Sequence, residues 1–145
     1  LLQKKGNPIK LATDKDGLIK VITEAKKIAI ANPEHAPYGR AAKEYLIGIG
    51  VWDLAQPKLV FGENISQATM FALTGSADFA ISALSLAMAP QVQSTYVLIP
   101  SNLHKPLRQK MALIKNSASS AKDFYQYLQE SKSRQIMSRY GFTAP

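Results

Sequence analysis

The run Ile28-Ala29-Ile30-Ala31-Asn32-Pro33 constrains the backbone more than any other part of the chain. Four apolar residues, two of them β-branched, read as a buried strand. The proline that follows cannot donate to a ladder and pushes Asn32 out of the helical region. Pro37 and Gly39 punctuate the turn, and from Gly39 onward Ala41, Ala42, Tyr45, Leu46 and Ile49 recur at helical spacing. Residues 27–40 therefore predict a strand, a proline-bounded turn, and a helix with Tyr38 and Gly39 in its first turn. The N–H groups of a first turn lack intrahelical partners and carry partial positive charge, which suits an anion. Open α/β sheets gather ligands beyond the carboxyl ends of their strands, where this helix starts. The same stretch also reads as a plain strand-to-helix connection with no ligand.

The pattern then repeats. Leu59-Val60-Phe61 reads as a second strand, ended by Gly62-Glu63-Asn64. Asn64 is a good N-cap, and Ile65 to Leu73 reads as a helix stopped by Gly75. That helix start frees the N–H groups of Ile65 and Ser66, so two helix starts at one sheet edge can converge on one anion. Asp78 to Ser82 reads as a third strand, Ala83 to Ala87 as a loop or helical turn, and Tyr96 to Ile99 as a fourth strand closed by Pro100. Upstream, an apolar start is broken by the turn chemistry of Lys5-Gly6-Asn7-Pro8. Leu18 to Ile22 fits helix or extended chain equally. Gly48 and Gly50 end the first helix, and Val51-Trp52-Asp53 reads as a short turn with Trp52 as a packing anchor.

Composition narrows the partners. The chain has 145 residues and a net charge of +8, with no cysteine. Disulfides and thiol chemistry are thereby excluded. The basic residues are dispersed and do not interleave with aromatics, which reads as a solvated surface and not a nucleic-acid interface. No run approaches the ~18 apolar residues of a bilayer span. Leu1-Leu2-Gln3-Lys4-Lys5 is not a basic region followed by an apolar core, as a secretory signal would be. A beginning without methionine reads as a mature or truncated product.

No catalytic or metal constellation stands out. His35 and His104 are far apart, and no His, Cys or carboxylate spacing fits a metal site. His35 is expected to make a turn-stabilising hydrogen bond, and Glu63 to cap or orient the second helix start. Ser82 and Ser85 lie outside any nucleophile elbow. Towards the C-terminus, Gln109 to Ile114 reads as a strand. Ser119 opens a helix bearing Phe124, Tyr127 and Leu128, and a second helix carries Ile136, Met137 and Tyr140 and ends at Gly141.

Three segments carry a family likeness: residues 32–43 (NPEHAPYGRAAK), 62–68 (GENISQA) and 77–85 (ADFAISALS). With residues 133–142 (SRQIMSRYGF), they resemble the periplasmic molybdate-binding proteins of ABC transporters, in the family's order and over essentially the whole chain. The resemblance implies an α/β, type II periplasmic-binding-protein-like fold with a mixed sheet flanked by helices. Residues 1–19 would be a hinge or crossing segment and 20–103 the second lobe, facing the oxyanion. Residues 104–145 would supply a crossing strand and the C-terminal helices of the first lobe.

It also implies the ligand: molybdate or tungstate, held by uncharged donors without a cofactor or resident metal. The ligand positions carried over are Tyr38 and Ile65, each offering a backbone N–H, with the Tyr38 phenol as an added donor. Pro37, Gly39, Asn64, Ser66 and Ser82 would support them. Some family members have a tyrosine where this chain has Ala83, so that phenol is missing here unless Tyr38 or Ser82 takes its place. The family's earlier serine and threonine donors precede the residues present here, so weak anion binding is expected. The partner would be a membrane permease, the location periplasmic, and exchange of the C-terminal tail a route to a homodimer. An effector-binding domain of a transcription regulator shares the fold and is the alternative.

Overall fold

The computed structural model describes residues 1–143, and the chain divides into two compact units, Leu1–Leu107 and the residues from Arg108 onward. In the first unit the elements run β1 (Leu2–Lys4), α1 (Lys15–Glu24), β2 (Ile28–Ala31), α2 (Pro37–Gly48) and α3 (Trp52–Ala55). A 3-10 turn at Gln56–Lys58 leads to β3 (Leu59–Gly62), α4 (Ile65–Thr74), β4 (Phe79–Ala80), α5 (Leu84–Ala87), β5 (Ser94–Tyr96) and a last 3-10 turn at Ser101–Leu103.

The strands form one sheet in the order β3-β2-β4-β1-β5. β3 and β4 both run parallel to β2, with Ala31 opposite Gly62 and Ala29 opposite Ala80. β1 is antiparallel to β4 and β5. Side chains alternate across a strand, so β2 feeds two cores. Ile28 and Ile30 pack with Leu18, Ala42, Tyr45, Leu46 and Phe79, under α1 and α2. Ala29 packs with Leu2, Ala68, Ala72 and Ala80, under α4. The alanines on this second face bring α4 close to the strands.

Local chemistry explains the helices. Asp14 caps α1 by accepting from the Gly17 N–H at 2.9 Å, which decides for helix at the segment whose type the sequence left open. Pro37 is the first residue of α2, where its missing N–H costs nothing. Asn64 caps α4, and Gly75 ends it in the left-handed conformation with φ +83°.

Several expectations need correction. Leu2–Lys4, to which the sequence reading assigned no element, is a strand held by partners far along the chain. The fourth strand lies at Ser94–Tyr96, two residues earlier than its apolar run suggests; Val97 still exchanges hydrogen bonds with Leu1 at 2.8 and 2.9 Å. Residues 52–55 form a helical turn instead of a simple bend, with Trp52 against the core and Lys43 Nζ 5.3 Å from its ring centre.

In the second unit α6 (Ser119–Tyr127) and α7 (Ser131–Arg139) form as the sequence indicates. Their turn is tied by Ser133 Oγ donating to the Tyr127 carbonyl at 2.6 Å. The strand expected at Gln109–Ile114 is not formed, and residues 105–114 have no regular structure. A strand needs a ladder, and the described part of this unit contains no other strand to pair with. Phe124, Tyr127, Ile136, Tyr140 and Phe142 are exposed. A unit this small buries too little apolar surface to hide them.

Candidate functional site

The site follows from the direction of three strands. β2, β3 and β4 are parallel, so their carboxyl ends share one edge of the sheet. The chain leaves β2 for α2 on one face and β3 for α4 on the other. Neighbouring strands that send their helices to opposite faces open a crevice between their ends, the usual ligand position in such sheets. The first turns of α2 and α4 both begin at that edge of the sheet.

Two bonds hold the junctions together. The Asn32 N–H donates to the Gly62 carbonyl at 2.7 Å, extending the ladder one residue past β2. Further out, His35 Nε2 lies 3.0 Å from the Glu63 carbonyl oxygen. That oxygen can only accept, so Nε2 carries the proton. The sequence pointed to a turn-stabilising role for His35; the structure shows that its bond joins two turns instead of stabilising one.

Glycines set how close the helices come. A Cβ on Gly39 would collide with the Ala31 carbonyl and lie 2.7 Å from the Asn32 carbonyl carbon. A Cβ on Gly62 would lie 2.6 Å from the Ala68 nitrogen. Both glycines let a helix start rest directly on a strand end.

The structure places each carried-over position. Tyr38 is half-buried in the first turn of α2, behind Pro37, which is exposed and has no N–H. Gly39 is buried and acts through its closeness to β2. Ile65 is half-buried as the first residue of α4, and Ser66 is exposed beside it. Among the described residues, no residue outside these helices accepts from the N–H of Tyr38, Ile65 or Ser66. The Asn64 side chain is committed, since its Oδ1 accepts from the Gln67 N–H at 2.9 Å. The Glu63 N–H donates to Gln67 Oε1 at 2.7 Å, so at this turn the backbone of Glu63 is tied down, beyond any role of its carboxylate.

Ser82 lies just past β4 and is half-buried. Its Oγ is 2.6 Å from Thr69 Oγ1, and Thr69 Oγ1 donates to the Ile65 carbonyl at 2.7 Å. Sequence reading passed over Thr69. Its spacing of four residues from Ile65, inside an apolar run, was the available signal. No group of His or carboxylate side chains among the described residues is arranged to hold a metal ion. The arrangement offers neutral hydrogen-bond donors, which suit a ligand bringing its own negative charge.

The chain belongs to the bacterial extracellular solute-binding protein family, which it matches over residues 1–143. The family is described by solute binding. Within that class it is 37% identical over 131 residues to the molybdate-binding protein of Rhodobacter capsulatus, covering 89% of this chain and 51% of that protein. It is 30% identical over 146 residues to a putative ABC transporter substrate-binding lipoprotein of Bacillus subtilis, covering 96% and 56%. The solved periplasmic molybdate-binding protein of Azotobacter vinelandii superposes with a TM-score of 0.82 at 26% identity, over 99% of this chain and 64% of that one. The chain thus spans about half the length of the curated relatives it matches.

Proposed function

We propose that this chain is part of the extracytoplasmic solute-binding component of an ABC transporter and presents the first turns of α2 and α4 to molybdate, for delivery to a membrane permease. The backbone N–H groups of Tyr38 and Ile65 are the donors, with Ser66 beside them. What supports this reading is the topology: uncommitted amides at the starts of two helices that follow the carboxyl ends of two adjacent parallel strands. Relatives named as molybdate-binding proteins support the choice of ligand. A doubly charged tetrahedral anion with no proton to give needs only donors, and this edge supplies donors. Tungstate has the same shape and charge and meets the same donors.

The affinity of the 145-residue chain by itself is limited by the number of donors. A hydrogen bond to a charged group contributes about 1.5–3 kcal/mol, and two such bonds correspond to a dissociation constant between about 6 mM and about 0.04 mM. Replacing the hydration of a dianion takes more donors than that for tight binding. A titration of the chain with sodium molybdate, followed by backbone amide NMR, tests the reading. Shifts concentrated at residues 38, 39, 65 and 66 at millimolar anion support it; shifts scattered over the basic surface refute it.

A further inference from the structure

The hydroxyls of Thr69 and Ser82 permit a sharper statement, which rests on the proposed molybdate reading. Thr69 is 3% exposed, so its side chain is nearly closed to bulk water. It has one proton and two oxygens within reach, the Ile65 carbonyl at 2.7 Å and Ser82 Oγ at 2.6 Å. A carbonyl can only accept. When Thr69 donates to Ile65, the contact with Ser82 is a hydrogen bond only if Ser82 donates to Thr69. That arrangement satisfies all three groups. It also commits the Ser82 proton to Thr69.

We propose that Ser82 is an additional oxyanion donor held in reserve by Thr69. When a dianion occupies the start of α4, the Ser82 hydroxyl turns its proton to the anion and Thr69 turns its own to Ser82 Oγ. The Ile65 carbonyl loses the hydroxyl and keeps the ordinary helical bond from the backbone N–H four residues on. No covalent bond changes and no proton leaves its oxygen; two hydroxyls rotate. The neutral bond given up is weaker than the charge-assisted one gained, so the rotation favours binding. Thr69 is then a positioning residue that weakens binding by competing for the Ser82 proton.

This predicts opposite signs for two neighbouring substitutions. Thr69→Val keeps the shape of the side chain, removes the competing oxygen and leaves Ser82 free, so molybdate affinity rises about 3- to 10-fold, a gain matching one neutral hydrogen bond. Ser82→Ala lowers affinity about tenfold. The double variant behaves as Ser82→Ala alone, because the valine acts only through Ser82. Thr69→Ser restores the wild-type value. The experiment is sodium molybdate titration by amide NMR of the chain and these variants, with circular dichroism checking that each is folded. A purely structural role for Thr69 predicts that valine weakens binding or leaves it unchanged, and either result overturns the proposal. So does a Ser82→Ala variant of unchanged affinity, which would leave the function proposed above standing. Should the wild-type chain show no site-localised response, that function fails and this inference fails with it.

Discussion

His35 Nε2 and the carbonyl oxygen of Glu63 lie 3.0 Å apart, and this contact links the turns that follow β2 and β3. The turn that opens α2 is thereby fixed to the turn that opens α4. The spacing of the two proposed donor amides is set partly by one exposed side chain. His35→Ala should therefore cost little stability, about 0.5–1.5 kcal/mol by urea unfolding. It should weaken molybdate binding more than that figure suggests, because both helix starts lose their common tie. His35→Gln retains an N–H donor at similar reach and should recover most of the binding. Equal losses for alanine and glutamine would show that the bond is incidental.

Gly39 and Gly48 lie in the same helix and should respond in opposite directions to alanine. A Cβ at Gly39 meets the Ala31 carbonyl, so α2 must lift off the strand end, at a cost of about 1–3 kcal/mol. A Cβ at Gly48 meets only the Leu103 carbonyl oxygen, at 3.9 Å. Gly48→Ala should stabilise the chain by about 0.5–1 kcal/mol through lower unfolded-state entropy. Urea midpoints of the two variants check both signs, and a similar shift for both would contradict the packing described here.

Where Leu1 carries a free amine, burial lowers the pKa of that amine from 8.0 to about 5, and the group donates to the Val97 carbonyl at 2.8 Å. The folded state then favours the neutral amine. Between these two values the unfolded chain binds more protons, so stability is complete near pH 8 and declines as pH falls towards 5. The decline has an upper limit of about 4 kcal/mol. Unfolding measured at pH 8 and pH 5.5 should show it, and acetylation of the amine should abolish it. A profile unchanged by acetylation would rule out the amine as its source.

Tyr45 supplies the alkaline counterpart. Burial, with a smaller contribution from the charge of Asp14, raises the pKa of its phenol to about 12, and the hydroxyl donates to the Thr13 carbonyl at 2.8 Å. Stability tied to the protonated phenol is present below pH 10 and is lost as pH rises from 10 towards 12. Tyr45→Phe should lower stability at neutral pH by about 1 kcal/mol and flatten the alkaline decline. An alkaline profile the same in both proteins would contradict this.

The strand-turn-helix repeat around Asn32-Pro33 and Asn64 was legible because its signals are local: a proline that ends a strand, a cap, a glycine that ends a helix. The two helix starts proposed to hold the ligand were legible for the same reason. β1 was not, since Leu2–Lys4 becomes a strand only by pairing with β4 and β5, some 80 and 90 residues away. The apolar run at Gln109–Ile114 misled for the mirror reason, having strand-like composition without a partner. The Asp14 cap of α1 is a local signal too, masked by the polar residues on either side of it. Asp78 could not have been found from sequence: its carboxylate accepts from the N–H groups of Lys26 and Lys27 at 2.7 and 2.8 Å, a link that exists only once the sheet has formed.

If the backbone amides at the two helix starts are the principal donors to the anion, then Ile65→Pro is the decisive substitution. Ile65 is the first residue of α4, where proline is tolerated. The preceding Asn64 is already extended, at φ −144° and ψ 173°, close to what a following proline requires. The substitution removes one N–H and leaves the helix in place. Molybdate titration of wild type, Tyr38→Phe and Ile65→Pro by amide NMR, each protein verified as folded, should give wild-type affinity for Tyr38→Phe and at least about tenfold weaker binding for Ile65→Pro. Undiminished binding by a folded Ile65→Pro protein, or loss of binding with the Tyr38 hydroxyl alone, would contradict a site built from backbone N–H groups.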